Sequence, residues 1–305
     1  DVERARKVHT KAKAAVEYMF HDLRMGNALQ TNEMHDLVEN VTQSLARNSN
    51  AFLTLSRFKE AGSHTYLHSL AVCALMIAVG RQFGIEGDEL RNLGFAGLMH
   101  DIGLIQIPEW VLHKPGRLNP DEYEVIKTHP QIGWMTLLKD SPDMNEQVLD
   151  VCLHHHERLD GAGYPDRLPG AELSLFTRIC TVCDIYDTLT SECCYKKACS
   201  PAEAIRIMTK SQAGHFDQGV FHAFVKTVGI YPVGSVVRLN SGRVGIVTDQ
   251  TEKSLLTPKV KVLFSTKTDQ PVASDIVDLS KSQDYIVDIE DPSKYRLDTK
   301  AIMGI

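Results

Sequence analysis

The sequence predicts a mainly α-helical protein, in which a helical bundle follows an N-terminal helical segment and precedes a small β-rich appendage. Apolar residues recur at helical spacing as far as about residue 228. Two stretches have the residues of a helix-capping box with proline at the first helical position, Asn119-Pro120-Asp121-Glu122 and Ser200-Pro201-Ala202-Glu203. Beyond Gly229-Ile230-Tyr231-Pro232, short β-rich runs replace the helical pattern. We therefore expect three parts, over residues 1–61, 62–230 and 231–305.

The first two helices should extend over residues 1–25 and from Thr31 or Asn32 onward, separated by Met25-Gly26-Asn27. They contain no motif, so a role in packing or in forming a homodimer is the expectation. Helical spacing predicts further helices at 50–61, 64–83, 87–100, 119–138 with a kink at Pro130, 144–158, 174–190, 201–211 and 217–228.

In the appendage, strands are expected at Ser235–Leu239, Val244–Thr248, Val260–Phe264 and Tyr285–Ile289. A turn at Asn240-Ser241-Gly242 should join the first two. The segment from Asp291 onward is polar, and we expect it to be a loose tail.

Charge and composition exclude several classes of protein. The 33 basic and 39 acidic residues leave a net charge of −6, so binding of a nucleic-acid polymer through net charge is not expected. An odd count of seven cysteines favours reduced thiols and a cytoplasmic setting. The apolar run from Leu70 to Val79 is shorter than the roughly 20 residues of a membrane span, and no signal peptide is visible. Because the first residue is Asp, we expect an upstream domain to be missing.

Histidine is concentrated in one third of the chain. Eight of the 13 histidines lie between positions 64 and 156: His64, His68, His100, His113, His129, His154, His155 and His156. At the end of an apolar helix, the adjacent side chains of His100 and Asp101 can converge on a metal ion, and a carboxylate can bridge two ions. A helix C-terminal cap is the alternative interpretation of this pair taken alone.

The spacing of the other candidates favours a metal site. Gaps of about 26–32 residues separate His68, His100, His129, His155-His156 and Asp184, which is roughly one helix and its connection. Each helix can therefore offer ligands to a common centre. A lone histidine is usually a satisfied core residue, but a carboxylate among Ile179, Val182 and Ile185 needs a cation or strong donors.

Over about residues 62–230 the chain resembles the HD-GYP branch of the HD superfamily of metal-dependent phosphohydrolases. The resemblance is carried by motifs in the family's order: His100-Asp101-Ile102-Gly103, Ile107-Pro108, Lys114-Pro115-Gly116, His129-Pro130, His155-His156-Glu157-Arg158, Asp160-Gly161-Ala162-Gly163-Tyr164-Pro165, the stretch from Arg178 to Ser191, and Phe216-Asp217. It implies an HD-type bundle of about seven helices that binds two or three iron or manganese ions and hydrolyses the bacterial second messenger cyclic di-GMP to pGpG, with GMP as a further product left open.

The resemblance also implies the ligand sets. One metal should take His68, His100, Asp101 and Asp184, and the second should share Asp101 and take His129, His155 and His156. Two cations ~3.5–4 Å apart can hold a bridging hydroxide for in-line attack on phosphorus. Asp101 and His100 are thus the expected catalytic residues. On the substrate side the resemblance suggests Lys114, Gly163, Tyr164, Asp187 and Lys196.

Three positions depart from the family's pattern. Leu104 replaces a lysine, Cys193 replaces an arginine, and His64 stands where three-metal members have a glutamate. We therefore expect two ions, with a third at His64 as the alternative. The losses at 104 and 193 leave open a catalytically weak or silent receptor or adaptor for cyclic di-GMP. A third hypothesis is a phosphohydrolase that acts on another nucleotide, such as a mononucleotide or a guanosine alarmone.

Overall fold

The computed structural model describes residues 2–57, 64–191, 198–211, 214–251 and 254–304. It confirms a mainly α-helical fold with a small antiparallel sheet near the C-terminus. The chain divides into two compact units: Asp1–Ala198 with Ser211–Phe224, and Cys199–Lys210 with Val225–Ile305. The sequence-based limits at 61/62 and 230/231 stay predictions. No helix in the described ranges is long and apolar enough to cross a membrane.

The N-terminal segment forms two helices, α1 (Val2–Arg24) and α2 (Thr31–Arg57). The helix predicted to begin near residue 50 is the second half of α2, because the chain stays helical on both sides of a non-helical residue, Asn48. The Oδ1 atom of Asn48 accepts a hydrogen bond from the Ala51 backbone N–H and so caps the second half. Residues 58–61 of that predicted helix lie outside the described residues.

The centre of the first unit is a tight pair of helices, α3 (His64–Gln82) and α4 (Gly87–Met99). Every residue of α3 from 67 to 80 is buried, as expected for a helix that is apolar on all sides. A Cβ atom at Gly97 would lie 2.7 Å from the Met76 sulfur and 3.0 Å from the Cys73 Cα, so glycine permits this close approach. The loop between α3 and α4 reverses the direction of the chain. His68, near the start of α3, and His100, directly after α4, therefore lie close together at one end of the helix pair.

A short 3-10 helix (Ile102–Gln106), α5 (Glu109–Leu112), α6 (Pro120–Ile126) and α7 (His129–Asp140) follow. The capping box at Asn119 and Glu122 is confirmed by both of its hydrogen bonds. The prediction of one kinked helix over 119–138 was wrong. The break falls at Lys127 and Thr128, and Pro130 lies in the first turn of α7, where its missing N–H costs nothing.

The next four helices are α8 (Glu146–His154), α9 (Leu175–Thr190), α10 (Pro201–Lys210) and α11 (Gln218–Val228). The α8 helix ends four residues earlier than predicted, and His155 is its C-terminal cap. At the start of α9, the Ser174 hydroxyl accepts a hydrogen bond from the Thr177 N–H, which fixes where the helix begins. Asp184 and Asp187 are both buried on α9.

The second unit contains strands β1 (Val236–Leu239), β2 (Arg243–Asp249), β3 (Lys259–Ser265), β4 (Gln270–Asp278) and β5 (Ile286–Ile289). They pair antiparallel in the order β4-β3-β2-β1-β5. β4 was missed from the sequence because it is largely exposed and lacks a run of core residues. The expected loose tail is wrong: it forms α12 (Thr299–Met303), and residues such as Leu297 and Ile302 pack against Val236 and Ile246.

Candidate metal centre

The carboxylate of Asp101 lies between two groups of histidines. Its Oδ1 atom is 3.2 Å from His129 Nε2 and 3.4 Å from His155 Nε2. Its Oδ2 atom is 3.5 Å from His100 Nε2 and 3.7 Å from His68 Nε2. Each oxygen therefore faces a different pair of rings, which is the geometry of a carboxylate shared by two ions.

Two sets of described residues place their donor atoms close enough to hold an ion. One consists of Asp101, His129, His155 and His156, and the other of His68, His100 and Asp101. Asp184 extends the second set, because its Oδ1 atom lies 3.0 Å from His68 Nε2. All seven side chains expected from the sequence thus come together at one place, and they form the same two groups. Their role as ligands stays a prediction.

Local hydrogen bonds orient the rings. His100, His129 and His155 each place Nδ1 at 2.7–3.1 Å from a backbone carbonyl three or four residues earlier. A carbonyl only accepts, so these Nδ1 atoms carry the proton and the Nε2 lone pairs point toward Asp101. This is the arrangement in which metal-binding histidines are commonly held.

His68 is oriented differently. Its Nδ1 atom donates to the Oδ2 atom of Asp187 at 2.5 Å, and Asp187 is only 2% exposed. The sequence had suggested Asp187 as a contact to substrate. That contact stays a prediction. The burial of Asp187 behind His68 also favours a positioning role, in which the carboxylate fixes the ring and increases the basicity of Nε2. The sequence contained no signal for this contact, because the two residues are 119 positions apart.

The electrostatics fit a divalent cation. His100 Nε2 is buried without a hydrogen-bond partner among the described residues, and burial lowers the pKa of His100 to about 4. Burial alone would raise the pKa of Asp101, but the neighbouring imidazoles of His100, His129 and His155 hold it well below its usual range, so this carboxylate is ionised. Imidazoles beside an ionised carboxylate suit a divalent metal ion, and the set contains no thiolate of the kind common in structural zinc sites.

Gly103 sets the position of His129. A Cβ atom at Gly103 would lie 1.9 Å from the His129 carbonyl oxygen and 2.6 Å from the Gly133 nitrogen. The 3-10 helix after Asp101 can therefore approach the first turn of α7 only because residue 103 has no side chain. This contact brings His129 to the Asp101 carboxylate.

A loop over residues 158–168 lies beside His156 and is anchored by Glu157. The buried carboxylate of Glu157 accepts hydrogen bonds from the backbone N–H groups of Asp166, Arg167 and Leu168 at 2.7–3.2 Å. Its position directly after His155-His156 was the only sequence signal for this role. A Cβ atom at Gly163 would lie 2.4 Å from the Glu157 Cα, so glycine lets the loop fold back on its anchor.

Tyr164 joins this loop to the centre. Its ring stacks on His156, with centroids 4.8 Å apart and planes at 25°. Burial raises the pKa of Tyr164, so its hydroxyl stays protonated and can donate a hydrogen bond. Burial also lowers the pKa of His156, with neighbouring His155 and His129 adding to the shift, so this imidazole is neutral.

Residues 32–220 match the family model described as the HD domain, which is more than half of the chain. The chain belongs to the HD domain family. This confirms the resemblance drawn from the motifs, since the matched range contains all seven side chains of the centre. The chain is 48% identical over 292 residues to the cyclic di-GMP phosphodiesterase PA4108 of Pseudomonas aeruginosa, covering 95% of this chain and 70% of that protein.

A second relative of this chain is the cyclic di-GMP phosphodiesterase response regulator RpfG of Xanthomonas campestris pv. campestris. It is 34% identical over 194 residues, covering 63% of this chain and 50% of that protein. Among solved structures, Bd1817, an HD-GYP-type protein from Bdellovibrio bacteriovorus, aligns with a TM-score of 0.61 at 20% identity. That alignment covers 74% of this chain and 72% of the other, and it supports the HD fold.

The other residues singled out from the sequence lie outside the two sets of candidate metal ligands or outside the described residues. Lys114 Nζ contacts both carboxylate oxygens of Glu122, at 2.6 and 2.8 Å, and its contact to a phosphate stays a prediction. His154 bonds to Asp150 and Asp166 rather than joining the centre. His64 begins α3, but its side chain lies outside the described part of the chain, as do Cys193 and Lys196.

Proposed function

We propose that this HD domain protein is a metal-dependent phosphodiesterase that hydrolyses cyclic di-GMP to linear pGpG. The observation that carries the proposal is the Asp101 carboxylate, whose two oxygens face two separate sets of imidazoles. The names of the two relatives above support the choice of a cyclic dinucleotide. The chain spans 70% of one of these relatives and half of the other, so their activity is a hypothesis for this protein.

Two divalent ions, Fe or Mn, fit the donors best. His68, His100, Asp101 and Asp184 would hold one, and Asp101, His129, His155 and His156 the other, with a third ion at His64 as the alternative. When bound, such ions supply Lewis acidity and a water of lowered pKa for attack on phosphorus.

The chain's own residues prepare the site. Backbone carbonyls hold the Nδ1 protons of His100, His129 and His155, so their lone pairs stay directed inward without reorganisation. Tyr164 closes the side next to His156 and offers a protonated hydroxyl. Glu157 keeps the loop that carries Tyr164 in place.

The test is turnover by manganese- or iron-loaded protein, with the products separated by chromatography. We expect pGpG from cyclic di-GMP, and the same assay shows whether GMP follows. Asp101→Asn should abolish the reaction, whereas Asp143→Asn, on an exposed loop, should leave it unchanged. Loaded wild-type protein that leaves cyclic di-GMP intact would contradict the proposal. Greater turnover of 3′3′-cGAMP, a mononucleotide or a guanosine alarmone would reassign the substrate.

A receptor that binds without hydrolysis is the second candidate, favoured by Leu104. This half-buried residue lies in the 3-10 helix directly after the His100-Asp101 pair, where a lysine would add a cation. Tight binding of cyclic di-GMP with no product would identify a receptor. In that case Leu104→Lys should introduce turnover if the missing cation is the cause.

A further inference from the structure

Lys127 lies at the edge of the metal centre, between two aromatic rings. Its Nζ atom is 5.4 Å from the centroid of Tyr123 and 5.9 Å from the centroid of Tyr164, which is within cation–π range of both. Tyr164 in turn stacks on His156. A continuous series of contacts therefore runs from Tyr123 through Lys127 and Tyr164 to His156.

A ligand can bind the Lys127 ammonium with little loss of stabilising interactions in the protein. Its Nζ atom contacts Glu124 Oε1 at 2.5 Å, but the Glu124 side chain is 68% exposed and lies only three residues earlier in the chain. Exposed pairs of this kind contribute little to stability, so an anion can replace the glutamate. Lys114 differs, because it is bonded to both oxygens of Glu122, whose side chain is only 11% exposed.

Tyr123 adds an open aromatic face. Its side chain is exposed, although it lies on a helix next to the centre and contacts Lys127. Nucleic-acid bases stack readily on such faces, because every base has a π-surface. A lysine ammonium beside an open tyrosine ring is therefore a site for a phosphate with an attached base.

The proposed substrate contains two phosphodiesters and two purines in one ring. When one phosphodiester occupies the centre, the other phosphate and its guanine must lie beside it. We propose that Lys127 and Tyr123 form the subsite for this second half, with Lys127 contacting the phosphate that is not cleaved and Tyr123 stacking the base. This inference rests on the proposed function, and it assigns substrate contacts to two residues outside the ligand sets.

The test compares KM and kcat for cyclic di-GMP in manganese-loaded wild-type protein and in Lys127→Gln. Loss of a charge-assisted hydrogen bond should raise KM about 10- to 100-fold, with kcat within about twofold. Lys127→Arg should restore most of the binding, and Tyr123→Ala should raise KM whereas Tyr123→Phe should not. For bis(p-nitrophenyl) phosphate, which has no second phosphate and no purine, KM should be unchanged in all variants.

Glu124→Gln is the matched control, because it breaks the same ion pair from the other side. If Lys127 binds phosphate, this variant should leave KM for cyclic di-GMP unchanged or lower it. Lys139→Gln, an exposed lysine at the far end of α7, controls for net charge. Bound manganese and the midpoint of thermal unfolding should match wild type throughout.

Three results would overturn the inference: equal KM in Lys127→Gln and wild type, equal effects of Lys127→Gln and Glu124→Gln, or a loss of manganese in Lys127→Gln. Failure of the proposed function is seen separately, as wild-type protein that does not turn over cyclic di-GMP. Binding of cyclic di-GMP, measured by calorimetry, then decides the role of Lys127. Binding that depends on Lys127 supports the subsite, and the absence of binding by wild-type protein overturns it.

Discussion

The Nδ1 atom of His68 donates a hydrogen bond to the Oδ2 atom of Asp187, joining the second turn of α3 to the C-terminal half of α9. The contact is buried, and it leaves His68 Nε2 directed toward Asp101 and Asp184. We therefore expect Asp187 to act on a bound metal ion through His68. Its effect should appear in metal affinity before it appears in substrate binding.

We expect Asp187→Asn to weaken metal binding about 10- to 100-fold, as is typical when the partner of a metal-bound histidine is lost. The amide keeps the shape of the side chain but loses the charge that increases the basicity of His68. Competition with a chelator of known affinity measures the change. Asp143→Asn removes an exposed carboxylate and should have no effect. Equal affinities in the two variants would contradict the positioning role.

Asp101→Asn should remove more than one ion. Because the two oxygens of Asp101 face different histidine pairs, we expect elemental analysis to find both ions lost or strongly reduced, with no measurable turnover. His68→Ala removes a ring that lies near Oδ2 alone and should spare the ion held with His129. If Asp101→Asn and His68→Ala lose the same amount of metal, the carboxylate is not shared.

Gly103→Ala should destabilise the fold and displace His129. The added methyl group would meet backbone atoms of α7, which cannot rotate away as a side chain can. Overpacking of this kind costs about 1–3 kcal/mol of the free energy of unfolding, and metal affinity should fall as well. Denaturant titration and chelator competition measure the two effects.

Gly219→Ala is the control for this substitution. Gly219 is exposed on α11, and its added methyl group would meet no backbone atom outside its own helix within 4 Å, only the Oδ1 atom of Asp217 at 3.2 Å. We expect that variant to keep wild-type stability or gain slightly from its higher helix propensity. A Gly103→Ala protein as stable as Gly219→Ala would show that the 3-10 helix can move away from α7.

Stability should depend on pH through His9 of α1. Burial, with a smaller contribution from Lys13, lowers the pKa of His9 from 6.5 to about 4, and its ring lies edge-on to Phe52 at 5.5 Å. Between these values the unfolded chain binds more protons than the folded protein. The free energy of unfolding should therefore fall as the pH falls from 6.5 toward 4, by about 1.4 kcal/mol per unit of pKa difference.

His9→Gln isolates this contribution, because other titrating groups are common to both proteins. Urea titrations at several pH values measure the free energy of unfolding. Below pH 6.5 it should fall less steeply with falling pH in His9→Gln than in wild type. Above pH 6.5 the two proteins should depend on pH in the same way. If the free energies of unfolding of the two proteins change with pH in parallel down to pH 4, His9 has the same pKa in the folded and unfolded states.

Most of the first unit could be predicted because its signals are local. Helical spacing located α3, α4 and α9, and the residues Asn119 and Glu122 specified a cap that forms as expected. The break at Lys127 and Thr128 was misplaced, because proline is compatible with the first turn of a helix as well as with a kink. β4 was missed because an exposed edge strand needs no apolar alternation.

For the centre, the sequence by itself determined which residue types were present, their regular spacing of about one helix, and the family to which the motifs belong. Only the tertiary structure decided that Asp101 divides its oxygens between two histidine groups, that Asp187 lies behind His68, and that Lys127 lies between two tyrosine rings. Spacing along one helix is set by local backbone geometry and can be read from the chain. Contacts between residues far apart depend on how closely helices approach, and that is decided by packing at positions such as Gly97 and Gly103.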